Sequence, residues 1–135
     1  MSRTQRLTSA EWEIMEAVWE LGGSPSVREV LEHAYPNGEK AYTTVQTVMN
    51  TLERKGVLRR VKVGLVNFYG PLHTREELAG REMSSLVERV FGGSIPALAS
   101  TLLSLDGIEP EEIERIRELI DRREREMKRE RGEDS

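Results

Sequence analysis

The segment "AYTTVQTVMNTLERKGVLRR" (residues 41–60) combines the apolar spacing of a helix with residues that are poor helix formers. Its apolar positions follow the period that buries one side of a helix, and they are Val45, Val48, Met49 and Leu52. The opposite side is polar and almost uncharged, and it consists of Thr43, Gln46, Thr47, Asn50 and Arg54. We predict a helix that starts with a Thr43–Gln46 capping box, ends at Gly56, and presents this polar side outward.

Three further capping-box patterns place the neighbouring helices. The pairs are Thr8 with Glu11, Ser26 with Glu29, and Thr74 with Glu77. The first helix is predicted from Ser9 to Leu21, burying Ile14, Met15, Val18 and Leu21, and ending at Gly22-Gly23. The second is predicted from Ser26 to Ala34, burying Val27, Val30, Leu31 and Ala34.

A β-hairpin is predicted after Gly56, where the apolar period changes to two residues. Its strands are "VLRRVKV" and "VNFYGP", joined by Gly64-Leu65. Three short helices followed by a hairpin have the order of a winged helix-turn-helix domain, which we place at residues 1–73.

Residues 74–135 are predicted to form a second, helical domain with a charged tail, so the fold class is mainly α with one small hairpin. Its apolar stripes contain Ala79, Met83, Leu86, Val87 and Val90, then Ile95, Leu98, Leu102 and Leu105, then Ile113, Ile116, Leu119 and Ile120. Three helices of this size form a marginal core, so we expect a second copy of the chain to cover them; docking on the winged domain is the alternative. The expected dimerisation residues are Met83, Leu86, Val87, Val90, Phe91, Leu98, Leu102, Ile113, Ile116 and Ile120.

Composition excludes several classes of function. The chain has 135 residues and no cysteine, which rules out disulfides, thiolate metal sites and a cysteine nucleophile. The start "MSRTQRL" lacks the apolar core of a signal peptide, and no apolar run reaches the ~20 residues that span a bilayer. We therefore expect a cytoplasmic protein without membrane insertion.

The net charge of −4 hides a local basic patch. Between positions 40 and 75 the only acid is Glu53. The cations there are Lys40, Arg54, Lys55, Arg59, Arg60, Lys62 and Arg75. Such an asymmetry favours contact with nucleic acid, although it also occurs on ordinary surfaces.

The polar helix face suits base edges in the major groove of double-stranded DNA, because hydroxyls, amides and the threonine methyl match what bases present there. The predicted base-reading residues are Thr43, Thr44, Gln46, Thr47 and Asn50. Arg54, Lys55, Arg59, Arg60 and Lys62 are predicted to contact phosphates, which would add salt-dependent affinity. Tyr42 either donates to a phosphate or packs on the second helix. The alternative for Thr43 and Gln46 is that they only cap the helix.

Other chemistry has little support in the sequence. His33 and His73 are isolated from further ligands, so no metal site, cofactor or enzymatic activity is predicted. A winged-helix adaptor that binds protein is the alternative function, but the outward face of the third helix has no apolar anchor.

The chain resembles the penicillinase-repressor (BlaI/MecI/CopY) family of bacterial transcriptional repressors over about residues 7–121. The resemblance rests on "LTSAEWEIMEAVWELG", "AYTTVQTVMNTLERKGVLRR" and "FGGSIPALASTLLS". It implies a winged-helix domain, a dimerising helical domain, and a homodimer that represses genes at a palindromic operator. It also implies Thr43, Thr44, Gln46, Thr47 and Asn50 on the recognition helix, closed by Arg54 and Lys55.

Three features depart from the family pattern. Antibiotic-resistance members are released by proteolysis at an Asn-Phe bond, triggered by a membrane sensor-protease, whereas this chain has Thr101-Leu102 there. Copper-responsive members carry a cysteine cluster, which is absent here. Family wings often carry Gly-Arg at the tip, where this chain has Gly64-Leu65.

Overall fold

The computed structural model describes residues 6–132, which form six helices and one antiparallel hairpin. The helices are α1 (Ser9–Leu21), α2 (Val27–Ala34), α3 (Tyr42–Arg54), α4 (Arg75–Phe91), α5 (Ile95–Leu103) and α6 (Pro110–Glu130). The strands β1 (Leu58–Val63) and β2 (Val66–Pro71) lie between α3 and α4. The mainly α fold with a winged hairpin is therefore confirmed. The predicted start at residue 1, the "MSRTQ" of the N-terminus and the end of the charged tail lie outside the described range.

Capping boxes begin α1, α2 and α4, as predicted. At α1 the Thr8 amide donates to Glu11 Oε1 at 2.8 Å, and the Glu11 amide donates to Thr8 Oγ1 at 3.1 Å. Ser26 with Glu29 and Thr74 with Glu77 repeat this reciprocal pattern. Each box satisfies backbone donors that the first helical turn leaves unpaired.

The capping box predicted for α3 is wrong. This helix begins at Tyr42, its N-cap is Ala41, and no side chain caps it. A Thr43–Gln46 box requires Thr43 as the N-cap, so the helix starts two residues earlier than the pattern requires. Neither side chain is therefore used to close the helix end, which removes the capping alternative for these two residues.

The core of the winged domain lies where α1, α2 and α3 meet the base of the hairpin. Its fully buried side chains are Ile14, Met15, Val18, Val30, Val45, Met49, Leu52, Leu58 and Tyr69. Leu78, on the first turn of α4, joins the same cluster. One sequence-based assignment within this domain is wrong, since Leu21 is exposed at the end of α1.

The hairpin has the predicted strands and turn. Its register runs from Leu58 opposite Pro71 to Val63 opposite Val66, so Gly64 and Leu65 form a two-residue turn. Gly64 has φ +64°, a conformation that favours glycine in such turns. An isolated bridge between Ser26 and Phe68 ties β2 to the start of α2.

The chain divides into two compact units, with the boundary between Leu86 and Val87. It falls within α4, whereas the boundary predicted from the sequence lies at residue 73. The difference arises because Leu78 packs into the winged core, so the first turns of α4 belong to the first unit. Among residues 6–132 no single helix is long and apolar enough to cross a membrane; α4 and α5, bent by 92°, reach that length and composition only together.

Candidate nucleic-acid interface

The orientation of α3 is fixed by its buried side. Val45, Met49 and Leu52 have no exposed surface, and Val48 packs half-buried against the same core. Because these residues lie on one side of the helix, the opposite side is forced outward. The core thus presents the polar face of α3 as a rigid element on the surface of the winged domain.

Of the predicted base-reading residues, Thr43, Gln46, Thr47 and Asn50 lie on that outward face and Thr44 lies beside it, and they differ in exposure. Thr43, Thr44 and Thr47 are exposed, whereas Gln46 and Asn50 are half-buried. The face remains free of charged side chains until Glu53, which is half-buried, and Arg54. The structure therefore brings the five predicted residues together on one helix, with the three threonines outermost.

Asn50 is held by a residue that sequence reasoning missed. The hydroxyl of Tyr69, on β2, donates to Asn50 Oδ1 at 2.7 Å. Tyr69 is only 1% exposed, and burial raises the pKa of its phenol, so it remains a proton donor. The amide of Asn50 is thereby fixed at the junction between α3 and the hairpin.

Tyr42 opens α3 and contacts α2 without being buried. The guanidinium carbon of Arg28 lies 5.1 Å from the centre of the Tyr42 ring, within the range of a cation–π contact. Both side chains are exposed. Arg28 therefore adds a cation beside the start of α3. It lies outside residues 40–75, which contain the basic patch of the sequence.

Lys55 is placed differently from the other predicted phosphate contacts. Its ammonium lies 2.8 Å from Oε1 of Glu11 and also donates to the backbone oxygen of Arg6 at 3.2 Å. The side chains of Lys55 and Glu11 are 18% and 6% exposed. This ion pair neutralises the lysine charge inside the fold, so Lys55 attaches the end of α3 to α1 and is left out of the candidate phosphate set.

The cations of β1 are exposed but point to two faces of the hairpin. Arg60 and Lys62 alternate with Arg59, and Arg60 lies directly opposite Tyr69 in the ladder. Tyr69 reaches α3, so Arg60 and Lys62 share the hairpin face on the α3 side. Arg59 lies on the other face, opposite Gly70.

The tip of the wing is apolar. Leu65 is 96% exposed, and its neighbours Val63 and Val66 are also exposed. The turn contains Gly64-Leu65 in place of Gly-Arg, so it carries no cation. The basic side chains of the wing lie on β1 rather than at its tip.

The second unit exposes most of its apolar surface. Among residues 87–132, Val87 is the one buried hydrophobic side chain. Phe91, Leu98, Ile113 and Ile116 are half-buried, whereas Val90, Ile95, Leu102, Leu103, Leu105, Leu119, Ile120 and Met127 are exposed. Of the remaining predicted dimerisation residues, Met83 is exposed and Leu86 half-buried on the part of α4 that belongs to the first unit.

An open cavity of about 540 Å³ lies between the end of α5 and α6. Its apolar lining includes Leu102, Leu105, Ile108 and Ile116. The predicted α5 stripe extended to Leu105, but α5 ends at Leu103, and Leu105 instead lines this cavity from the connection to α6.

The two histidines are paired with carboxylates. His33 Nε2 lies 2.8 Å from Glu20, and His73 Nδ1 lies 3.5 Å from Glu77. Within residues 6–132 no group of three potential ligands could hold a metal ion.

Comparison with known proteins shows which family the chain resembles. Residues 7–122 match the model of the penicillinase repressor family. The chain is 32% identical over 95 residues to the transcriptional regulator BlaI of Mycobacterium tuberculosis, covering 70% of this chain and 69% of that one. It is 21% identical over 122 residues to the methicillin resistance regulatory protein MecI of Staphylococcus aureus, covering 90% of this chain and 98% of MecI.

The winged unit also has a counterpart among solved structures. The DNA-binding domain of the repressor BlaI superposes with a TM-score of 0.50 at 27% identity, covering 57% of this chain and 93% of that domain. The family match extends beyond this domain through most of α6. This chain belongs to the penicillinase repressor family.

Proposed function

We propose that this protein is a transcriptional repressor that binds a palindromic operator as a homodimer in the cytoplasm. The observation that carries the proposal is the outward, uncharged and hydrogen-bonding face of α3, held in place by a fully buried opposite face. In a winged helix-turn-helix such a helix lies in the major groove, where its polar side chains meet base edges.

Base reading is assigned to the exposed threonines Thr43, Thr44 and Thr47, with Gln46 and Asn50 beside them. Their hydroxyls and amides can donate and accept, and the threonine methyl groups can pack on the methyl group of thymine. A carboxylate at these positions would be repelled by the flanking phosphates, and the outward face carries none before Glu53.

Phosphate binding is assigned to cations that surround α3 and remain exposed. Arg54 ends the helix, while Arg60 and Lys62 share the α3-side face of the wing. Tyr42 and Arg28 lie at the other end of α3. Arg59 lies on the opposite face of the hairpin, so we give it a smaller part in binding than its neighbours.

Dimerisation is assigned to the second unit. A single copy leaves Val90, Ile95, Leu102, Leu119 and Ile120 exposed, and one buried side chain gives this unit no core of its own. A twofold partner that covers these side chains would supply the missing burial. Two copies of α3 would then read half-sites about one helical turn, or a simple multiple, apart.

We do not propose that this protein is released from its operator by the Asn-Phe proteolysis of antibiotic-resistance members. Thr101 and Leu102 occupy that position and lie inside α5, whose backbone is hydrogen-bonded. Cleavage there by a membrane sensor-protease would require both a different sequence preference and local unwinding of the helix. We infer that any cleavage of this chain would occur elsewhere or that another signal acts.

The proposal is tested with duplexes selected from a random DNA library by the full chain. Fluorescence anisotropy against the selected duplex and a scrambled duplex of equal length should show specific binding that weakens steeply with salt. Each phosphate contact contributes about 0.9 to the slope of log K against log salt concentration. Equal affinity for both duplexes, or a flat salt response, would contradict the proposal.

A further inference from the structure

A side-chain hydrogen bond joins α3 to the wing. Asn50 lies on α3, Tyr69 on β2, and their side chains are joined by the 2.7 Å bond from the phenol to Oδ1. Arg60 stands opposite Tyr69 in the hairpin ladder. Asn50 is half-buried on the side of α3 where DNA is proposed to bind.

The direction of this bond follows from the chemistry of the two groups. The phenol of Tyr69 keeps its proton, because burial raises its pKa, and it donates that proton to Asn50. Because a donor must meet an acceptor, the amide oxygen of Asn50 faces Tyr69 and its NH₂ group faces away.

We propose that Tyr69 is a positioning residue for base reading, because it holds Asn50 Oδ1 toward the hairpin and turns the NH₂ group of Asn50 toward DNA. The inference rests on the proposed function, in which α3 lies in the major groove. The base preference of Asn50 then depends on Tyr69, a buried residue of β2, and not only on the exposed residues of α3.

This restriction selects among bases. A free asparagine binds adenine with both atoms of its amide, since it accepts from the N6 amino group and donates to N7. With Oδ1 turned toward Tyr69, Asn50 presents its N–H donors to an acceptor, which guanine offers at N7 and O6, adenine at N7 and thymine at O4. Cytosine presents a donor in the major groove and is the base that this orientation fits least.

The first test measures the base preference of the wild-type chain at the position that Asn50 contacts. The base pair read by Asn50 is located as the position whose preference is lost in Asn50→Ala, using the selected duplex in competition binding. Replacing that base by an analogue without its major-groove acceptor should weaken binding roughly fivefold or more. If the base is adenine, a purine without the 6-amino group should bind as well as adenine. A preference for cytosine, or a loss on removal of the amino group, would overturn the inference.

The second test uses Tyr69→Phe, which keeps the buried ring. The released amide should change the base preference at the Asn50 position by roughly fivefold or more and leave the other positions unchanged. In the Asn50→Ala background the same substitution should have no effect on preference. Tyr35→Phe is the matched control, because Tyr35 is also a buried tyrosine but donates to Glu13.

The outcomes separate this inference from the proposed function. Tyr69→Phe would overturn the inference alone if it weakened all duplexes equally, or if its effect persisted without Asn50, since either result indicates a purely structural hydroxyl. A wild-type chain with no base preference at any position would overturn the proposed function and the inference together. Thermal unfolding of each variant verifies that the compared proteins are folded.

Discussion

Lys55 and Glu11 form an ion pair across 44 residues of sequence, with Nζ and Oε1 2.8 Å apart. The same carboxylate oxygen accepts the Thr8 amide in the capping box of α1. Glu11 therefore joins the end of α3 to the start of α1. Lys55, which the sequence suggests as a phosphate ligand, is part of the framework that orients α3.

Substitution of Lys55 should destabilise the fold more than substitution of its neighbour. Lys55→Met leaves Glu11 buried without its counter-charge and should lower the free energy of unfolding by about 1–3 kcal/mol. Arg54→Met, at an exposed position, should change it by less than about 0.5 kcal/mol. Urea unfolding at one fixed protein concentration measures both.

The double variant tests the origin of the loss. Glu11→Gln combined with Lys55→Met removes both charges and should recover part of the stability, because no unpaired ion remains inside. In DNA binding, Arg54→Met should reduce the salt slope by about 0.9, whereas Lys55→Met should leave it unchanged. A reduced slope for Lys55→Met would return this lysine to the phosphate set.

Residues that contact bases and residues that contact phosphates should differ in how their substitution affects base preference. Thr47 is exposed in the middle of the outward face, and Thr47→Ala should relax preference at its base pair by about 1–3 kcal/mol. Lys62→Ala should weaken selected and scrambled duplexes alike. Competition binding with single-base variants of the selected duplex measures both; identical profiles would show that the two roles are not separate.

Dimerisation should depend on side chains that a single copy leaves uncovered. Ile120 is 55% exposed, so Ile120→Glu leaves the packing of one copy almost intact but would place a charge in the proposed interface. We expect the dimer to weaken at least about tenfold in sedimentation equilibrium, a cost of about 1.4 kcal/mol or more. Operator affinity should fall with it.

A charge reversal at a polar position of α6 provides the control. Lys128 lies on the same helix and is exposed, so Lys128→Glu should leave the dimer unchanged. If both variants dissociated equally, net charge rather than the apolar surface would explain the loss. If neither did, the interface would lie elsewhere.

Stability at high pH should depend on Tyr35. Burial, with the hydrogen bond to Glu13, raises the pKa of its phenol from 10.0 to about 12. The folded protein then keeps a proton that the unfolded chain releases from about pH 10 upward. This stabilisation is complete below pH 10 and is lost as the pH rises to about 12. Thermal unfolding from pH 8 to 11 should show a steeper loss for the wild type than for Tyr35→Phe.

Much of the winged fold could be predicted from local signals, because most helix starts and the hairpin turn are encoded within a few residues. Thr8, Ser26 and Thr74 each form their box with a glutamate three positions on. The signal failed at Thr43, which lies two residues after the N-cap Ala41. There the burial of Val45 and Met49, rather than a cap, holds the helix in place.

The roles of individual residues at the interface could not be predicted from the sequence, because they depend on contacts between distant segments. Nothing near Lys55 indicates that Glu11 lies beside it, and nothing near Asn50 indicates Tyr69, because both pairs join distant parts of the chain. The alternation of β1 does predict that Arg59 and Arg60 face opposite ways. Which of them faces α3 became clear only from the position of Tyr69.

The two-stranded sheet leaves β1 without a ladder partner on its outer side among the described residues. An open strand edge with exposed Val61 and Val63 is a template for intermolecular β-pairing and aggregation. Arg59, Arg60 and Lys62 interrupt those valines, and cations in an edge strand disfavour such pairing. Under the proposed function, the cations of β1 that bind phosphate also protect this strand edge, so neutralising them to weaken operator binding would raise the risk of self-association.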